Sequence, residues 1–236
     1  MALERMDVGN NEDQFQSKLH QMRYDFVLAR LPAAAKVLEI GTGEGALTKQ
    51  ILPRCGSYAG VEFDPEARER ACRFAGPTAE IIVGDARKLP FADDQFSFVV
   101  CLEVLEHLGD FRSGVRNIQR CLNPSGTAIA SVPYRVVGGK SDVNPYHLYE
   151  PGEAELVSSF RDLFTDVEVH YLYFEETALM TFARETHLRR LLGLHRHYAD
   201  LTVGLPAATS KLRIAQRSAG MNISLLIVAR GKKTNP

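Results

Sequence analysis

Three carboxylates, three alternating glycines and two histidines carry most of the chemistry this sequence offers. Glu39 sits in the apolar run Val37-Leu38-Glu39-Ile40 and is followed by Gly41-Thr42-Gly43-Glu44-Gly45. Glycine adopts backbone angles that other residues avoid and has no Cβ to block a ligand. Glycines at alternate positions therefore describe a turn against which something flat or extended lies. Glu62 closes the next apolar run, and an acid about twenty residues past such a turn meets ribose hydroxyls in a βαβ unit. A carboxylate can accept both hydrogens of a vicinal diol. Asp85 follows a third run, Ile81-Ile82-Val83-Gly84, where it can accept from an exocyclic amine or simply cap a turn. His107 and His147 are imidazoles able to take a proton from a hydroxyl or amine near neutral pH. His107 also has a bland reading as a cap or packing residue.

Elements must bring these groups together. The spacing predicts strands at 36–40, 57–62, 80–83, 96–102 and 127–133, each followed by a helical pattern or a turn. Strands alternating with helices make an α/β sheet, and ligands of such sheets sit at the carboxyl ends of the strands. Glu39, Glu62 and Asp85 all fall there. Gly41, Gly43 and Ala46 also fit dinucleotide spacing, as in a nicotinamide oxidoreductase. The carboxylate of Glu39 counts against that reading, because it repels a pyrophosphate and attracts a cation. Asp64-Pro65-Glu66 has a sufficient structural role as a helix start. Phe63 packs on a flat ligand edge or on the core.

With these residues in view, Glu39-x-Gly41-x-Gly43-x-Gly45 resembles the glycine-rich first motif of class I S-adenosylmethionine-dependent methyltransferases. Glu62 and Gly84-Asp85-Ala86 match the later acids of that family, and Leu89-Pro90-Phe91 its approach to strand four, with Ser97 where most relatives carry aspartate. Leu102-Glu103-Val104-Leu105-Glu106-His107-Leu108 is similar to a segment of the ubiquinone O-methyltransferase branch. Asn123-Pro124-Ser125-Gly126 resembles its following turn, Ser125 replacing a glycine. The resemblance implies a Rossmann-like, seven-stranded, mainly parallel sheet with helices on both faces and the last strand antiparallel. It implies S-adenosylmethionine as cofactor and S-adenosylhomocysteine as product. The cofactor would be held by Arg23, Glu39, Gly41, Gly43, Gly45, Glu62, Phe63, Asp85, Ala86 and Leu102, with His107 and His147 as proton acceptors. The expected acceptor is a small molecule, with O-methylation favoured. A non-catalytic binding module is an alternative.

Glu103, Glu106, His107 and His147 also resemble the metal site of small-RNA 3′-end 2′-O-methyltransferases, which leaves a metal-assisted RNA enzyme as a second alternative. Acids at a helix start are favoured without any metal, so the expectation is no metal.

The remaining chain is read as one domain over 1–236. An N-terminal helix within 1–31 carries an apolar stripe of Phe15, Leu19, Met22 and Phe26. It places Arg23 on the cofactor's carboxylate or on a solvated face. The segment 134–149 is long enough to be an acceptor-side loop. The segment 175–219 reads as a helical insertion or lid. Between Thr177 and Arg217 it has seven Arg and Lys against two acids, which suits an anionic acceptor or a solvated face. Net charge is −1, so nothing global favours nucleic acid. No apolar run reaches the ~20 residues of a membrane span. Cys55, Cys72, Cys101 and Cys121 are widely spaced, which fits a reducing cytoplasm.

Overall fold

The computed structural model describes residues 11–141, 144–175, 211–216 and 220–233. Helices and strands alternate through the first half: α1 (Asn11–Leu28), β1 (Lys36–Ile40), α2 (Ala46–Ile51), β2 (Ser57–Glu62), α3 (Pro65–Ala75), β3 (Ile81–Val83) and β4 (Phe96–Leu102). Then come α4 (Phe111–Cys121), β5 (Leu122–Pro133), α5 (Glu153–Arg161), β6 (Phe164–Glu175), β7 (Lys211–Ala215) and β8 (Gly220–Lys232). A 3₁₀ turn, Leu105–His107, lies between β4 and α4.

The strands form one sheet in the order β3-β2-β1-β4-β5-β8-β6-β7. The first five are parallel. Strand β8 is antiparallel to both β5 and β6, so β6 points the same way as β5. Strand β7, which pairs antiparallel with β6, is an eighth strand beyond the seven expected. It comes from the segment expected to be helical. Its reason is local: Leu212 and Ile214 face the core while Arg213 is exposed, a period of two. Residues 176–210 and 217–219, with most of the basic charge of the insertion, lie outside the described residues.

Side chains alternate between two cores. Leu38, Ile40, Val61, Val99 and Cys101 pack with α4 and α5 through Val115, Ile118, Leu156 and Phe160. Val37, Tyr58, Phe98 and Val100 pack with α1, α2 and α3 through Leu19, Val27, Leu47 and Ala71. Parity therefore decides which of the two cores a residue on such a strand enters. Asp64 caps α3 by accepting from the N–H of Glu66 and Ala67. Strand β5 starts at Leu122, earlier than the Asn-Pro-Ser-Gly turn suggests. Leu122 is fully buried and pairs with Phe96, and the regular ladder resumes at Thr127 across an irregularity.

Candidate functional site

The glycine turn after β1 is left-handed at all three glycines, with φ of 76° at Gly41, 53° at Gly43 and 87° at Gly45. Each fills a different need. A Cβ on Gly41 would lie 2.3 Å from Val104 Cγ2, and one on Gly45 3.0 Å from the backbone of Ala71. A Cβ on Gly43 would meet nothing within 4 Å. Gly41 and Gly45 thus allow close packing, and Gly43 leaves an open surface on the turn.

Glu62, at the tip of β2, is 6% exposed. One carboxylate oxygen accepts from Gly43 N–H at 2.7 Å; the other accepts from Phe63 and Asp64 N–H at 2.9 and 3.1 Å. Burial raises its pKa, and these three N–H groups oppose the rise. The acid therefore clasps the turn. Phe63 beside it is 59% exposed, which excludes the core-packing reading.

Glu39 corrects an expectation. Its neighbours Leu38 and Ile40 face α4 and α5, so Glu39 faces α2 by parity, buried at 3% exposure. Its Oε2 accepts from the hydroxyls of Thr48 at 2.8 Å and Tyr58 at 2.6 Å. Burial pushes Glu39 up to about 7, in spite of both hydrogen bonds. The acid lies under the turn rather than open at its rim. Burial, then the Glu39 charge, push Tyr24 up to about 12.

Asp85 is engaged by its own loop. Arg87 reaches both carboxylate oxygens, at 2.6 Å to Oδ2, and Arg87 N–H donates to Oδ1 at 2.8 Å. The Arg87 side-chain hydrogen bond, more than the backbone one, holds the Asp85 carboxyl below the usual carboxylate range. The turn reading is therefore sufficient for its geometry. The methyl of Ala86 packs into the core at 7% exposure, and Leu102 ends β4, partly buried.

Arg23 does not lie on a solvated face. It is 4% exposed and donates through Nη2 to Glu103 Oε2 at 3.2 Å and to Ser224 Oγ at 2.6 Å. A buried guanidinium needs a carboxylate nearby, and Glu103 supplies one from the chain itself. Arg23 Nε and the Thr42 hydroxyl remain buried with no hydrogen-bond partner. Glu103 stands just beyond β4 at φ 53°, a conformation unfavourable for a side chain this long. Its carboxylate also accepts from Ser131 Oγ at 2.6 Å.

Beyond Glu103 the chain brings three candidates together. Ligand atoms of Glu106, His107 and His147 all lie within 4.8 Å of one another. The two imidazoles meet edge to face, 4.8 Å between centroids. His107 Nδ1 lies 3.1 Å from the carbonyl of Tyr146. His147 Nδ1 lies 2.6 Å from Glu150 Oε1, and Glu150 is paired with Arg135. Glu106 is 1% exposed, with Oε2 unpartnered. Burial, and then the neighbouring Glu103, raise its pKa well above the usual value. Glu103, Glu106 and His107 fall on a bent tip and a 3₁₀ turn, not on the helix start expected.

Thr42, Ser131, Glu150 and Ser224 were not legible as site residues. Glu150 had a signal, its place three residues after His147. Ser224 had none, since only the antiparallel return of β8 brings it to Arg23.

The sheet order, a glycine turn after the first strand and an acid closing the second define the fold of class I S-adenosylmethionine-dependent methyltransferases. Residues 38–130 match the family described as "Methyltransferase domain". The chain is 32% identical over 158 residues to a probable S-adenosylmethionine-dependent methyltransferase of Mycobacterium tuberculosis, covering 65% of this chain and 57% of that protein. It is 36% identical over 110 residues to a ubiquinone/menaquinone biosynthesis C-methyltransferase of Desulfotalea psychrophila, covering 44% of each. The chain thus spans about half the length of the curated relatives it matches. The YcgJ protein of Bacillus subtilis has the same fold, with a TM-score of 0.61 at 20% identity over 89% of this chain and 99% of that one. Residues 38–130 are a methyltransferase domain, and the cofactor of that domain is S-adenosylmethionine.

Proposed function

We propose that this chain transfers a methyl group from S-adenosylmethionine to a hydroxyl of a small-molecule acceptor. The observation that carries the reading is Glu62: a buried carboxylate at the second strand tip, clasped to the open face of the turn at Gly43. It has acceptor capacity for a ribose diol, and Gly43 leaves room for the nucleoside to approach. The exposed ring of Phe63 suits an adenine edge. Two buried donors without partners, Arg23 Nε and the Thr42 hydroxyl, are of the type that a methionyl carboxylate satisfies.

Once bound, the cofactor supplies a methyl on a sulfonium: the S–C bond breaks with its electron pair going to sulfur, the O–C bond forms, and S-adenosylhomocysteine leaves. The protein has little covalent chemistry to do. It aligns the acceptor in line and keeps water out. In this reading His107 or His147 receives the acceptor's proton. Carbonyl and carboxylate oxygens only accept, so both Nδ1 atoms carry hydrogen in the neutral rings and each Nε2 carries the lone pair.

A small-molecule acceptor is favoured by the quinone-pathway relative and by a net charge of −1; an anionic one would suit the basic 175–219 segment. We place the chain in a reducing cytoplasm, which its four unpaired cysteines support. Incubating the protein with methyl-labelled donor and a metabolite extract tests the activity. Labelled product in an organic-soluble, hydroxyl-derived fraction is expected. Binding of donor with no labelled product from any extract would favour the non-catalytic module, and label in RNA the RNA enzyme.

A further inference from the structure

The two imidazoles at the strand-tip edge are backed by different groups. We propose that Glu150 is a positioning residue for methyl transfer, and that it makes His147, rather than His107, the group that takes the acceptor's proton. This deepens the reading above and rests on it in taking the acceptor group to be a hydroxyl bound at this edge.

Three observations carry it. The first is the pair itself. His147 Nδ1 lies 2.6 Å from Glu150 Oε1, and Glu150 is 5% exposed. A carboxylate only accepts, so Nδ1 carries the hydrogen and Nε2 the lone pair. The second is the far side of the ring. Asn144 Oδ1 accepts from the N–H of Tyr146 at 3.0 Å, which turns the amide nitrogen toward His147. That nitrogen, Nδ2, lies 2.9 Å from His147 Nε2 and donates to it. The two sides of the ring thus fix the same tautomer independently. The amide stands where an acceptor hydroxyl would donate, and it gives way as the acceptor enters. The third is the anchoring of Glu150. Its N–H donates to the carbonyl of Gly139 at 2.8 Å, and its carbonyl accepts from Gly139 N–H at 3.0 Å. Arg135 pairs with its second carboxylate oxygen, Oε2. Burial raises the Glu150 pKa, but hydrogen bonds from His147 and Ser141 and the Arg135 charge outweigh it and hold the carboxyl below its usual range.

His107 differs at the matching atom, because its Nδ1 faces the carbonyl of Tyr146 at 3.1 Å. A carbonyl orients a ring as well as a carboxylate does, but it carries no charge to offset an imidazolium. An opposite charge in contact favours the protonated ring. The step then runs through His147. The acceptor's O–H bond breaks with its proton going to Nε2. The oxygen's electron pair forms the bond to the methyl, and the S–C pair goes to sulfur. The imidazolium keeps its Nδ1 hydrogen on Glu150 and later releases the Nε2 proton to solvent. Glu150 stays ionised throughout and touches no reacting atom.

The test is the rate of label transfer from methyl-labelled S-adenosylmethionine into the metabolite extract, with calorimetry of S-adenosylhomocysteine beside it. Glu150→Gln should lower that rate about 100-fold or more while donor affinity stays within about 2-fold, a loss confined to the chemical step. Glu150→Asp, which keeps the charge, should recover part of the rate. Added imidazole should restore turnover to His147→Gly and not to His107→Gly. Near-UV circular dichroism confirms the fold of each variant; where Glu150→Gln fails to fold, Glu150→Asp and the imidazole rescue decide. A readout that needs no acceptor is the ¹⁵N-histidine NMR spectrum of the chain with S-adenosylhomocysteine, in which neutral His147 should carry its hydrogen on Nδ1. A Glu150→Gln rate within about 3-fold of wild type, rescue of His107→Gly instead, or His147 carrying its hydrogen on Nε2 would overturn the assignment and leave the methyltransferase reading standing. Failure to bind S-adenosylhomocysteine would remove that reading, and the NMR result for His147 would stand apart from it.

Discussion

The two halves of the strand-tip edge are built differently. At the β1–β3 half the acids are tied up locally: Glu62 by three backbone N–H groups, Asp85 by Arg87, Glu39 by Thr48 and Tyr58. At the β4–β5 half the groups are strained or left short of partners. Glu103 is left-handed, Glu106 Oε2 is bare, and Arg23 retains an unused buried donor. In the first half every one of these acids has its partners within the chain, and among the described residues only the Thr42 hydroxyl is left bare. The second keeps uncompensated polar groups, which cost stability and persist where a ligand completes them.

The largest effect should come from breaking the long-range pair. Arg23→Ala removes a buried guanidinium and leaves the partly buried Glu103 without its cation, and a loss of about 3–5 kcal/mol in urea unfolding is expected. A loss under about 1 kcal/mol would place that half on the same footing as the first.

The next effect is a pH slope. The folded pKa of Glu39 is raised, from 4.5 to about 7. The native state therefore holds this proton where the unfolded chain has released it, and stability falls as pH rises through that window. A shift of this size corresponds to roughly 3 kcal/mol. Glu39→Gln should flatten the slope of wild-type stability between about pH 4.5 and 7 by an amount of that order. Equal slopes in the two proteins would mean that Glu39 is ionised throughout.

Glu62→Ala should weaken cofactor binding by about 1.5–3 kcal/mol, the range for a lost hydrogen bond to a charged group. Unchanged affinity by calorimetry would take the ribose role from Glu62. The smallest effect is expected at Arg87. Arg87→Ala should leave the unfolding midpoint unmoved, because the pair with Asp85 is exposed. It separates two readings of Asp85: undiminished or tighter cofactor binding fits an acid released toward adenine, and weaker binding fits a loop that Arg87 must hold.

The same contrast explains what could be seen in the sequence. The first half was legible because its parts are contiguous: glycines at 41, 43 and 45, and acids at the ends of short apolar runs. Even there, the position of Glu39 at a strand end suggests the rim, whereas strand parity carries it into the core beside Thr48. The second half was legible by type but not by pairing. His107 and His147 stand out as imidazoles, yet Glu150 behind His147, and Arg23 with Ser224, depend on a loop and on an antiparallel strand that no local pattern announces. The eighth strand went unread because a five-residue alternation, Lys211–Ala215, is too short to stand out in a segment expected to be helical.

We propose that the turn and the tip of β2 take up S-adenosylmethionine. Isothermal calorimetry of S-adenosylhomocysteine into the wild-type chain tests it most directly. Saturable binding at one site per chain is the predicted result. An absence of binding heat at several temperatures, together with no retention of labelled donor in equilibrium dialysis, would contradict it.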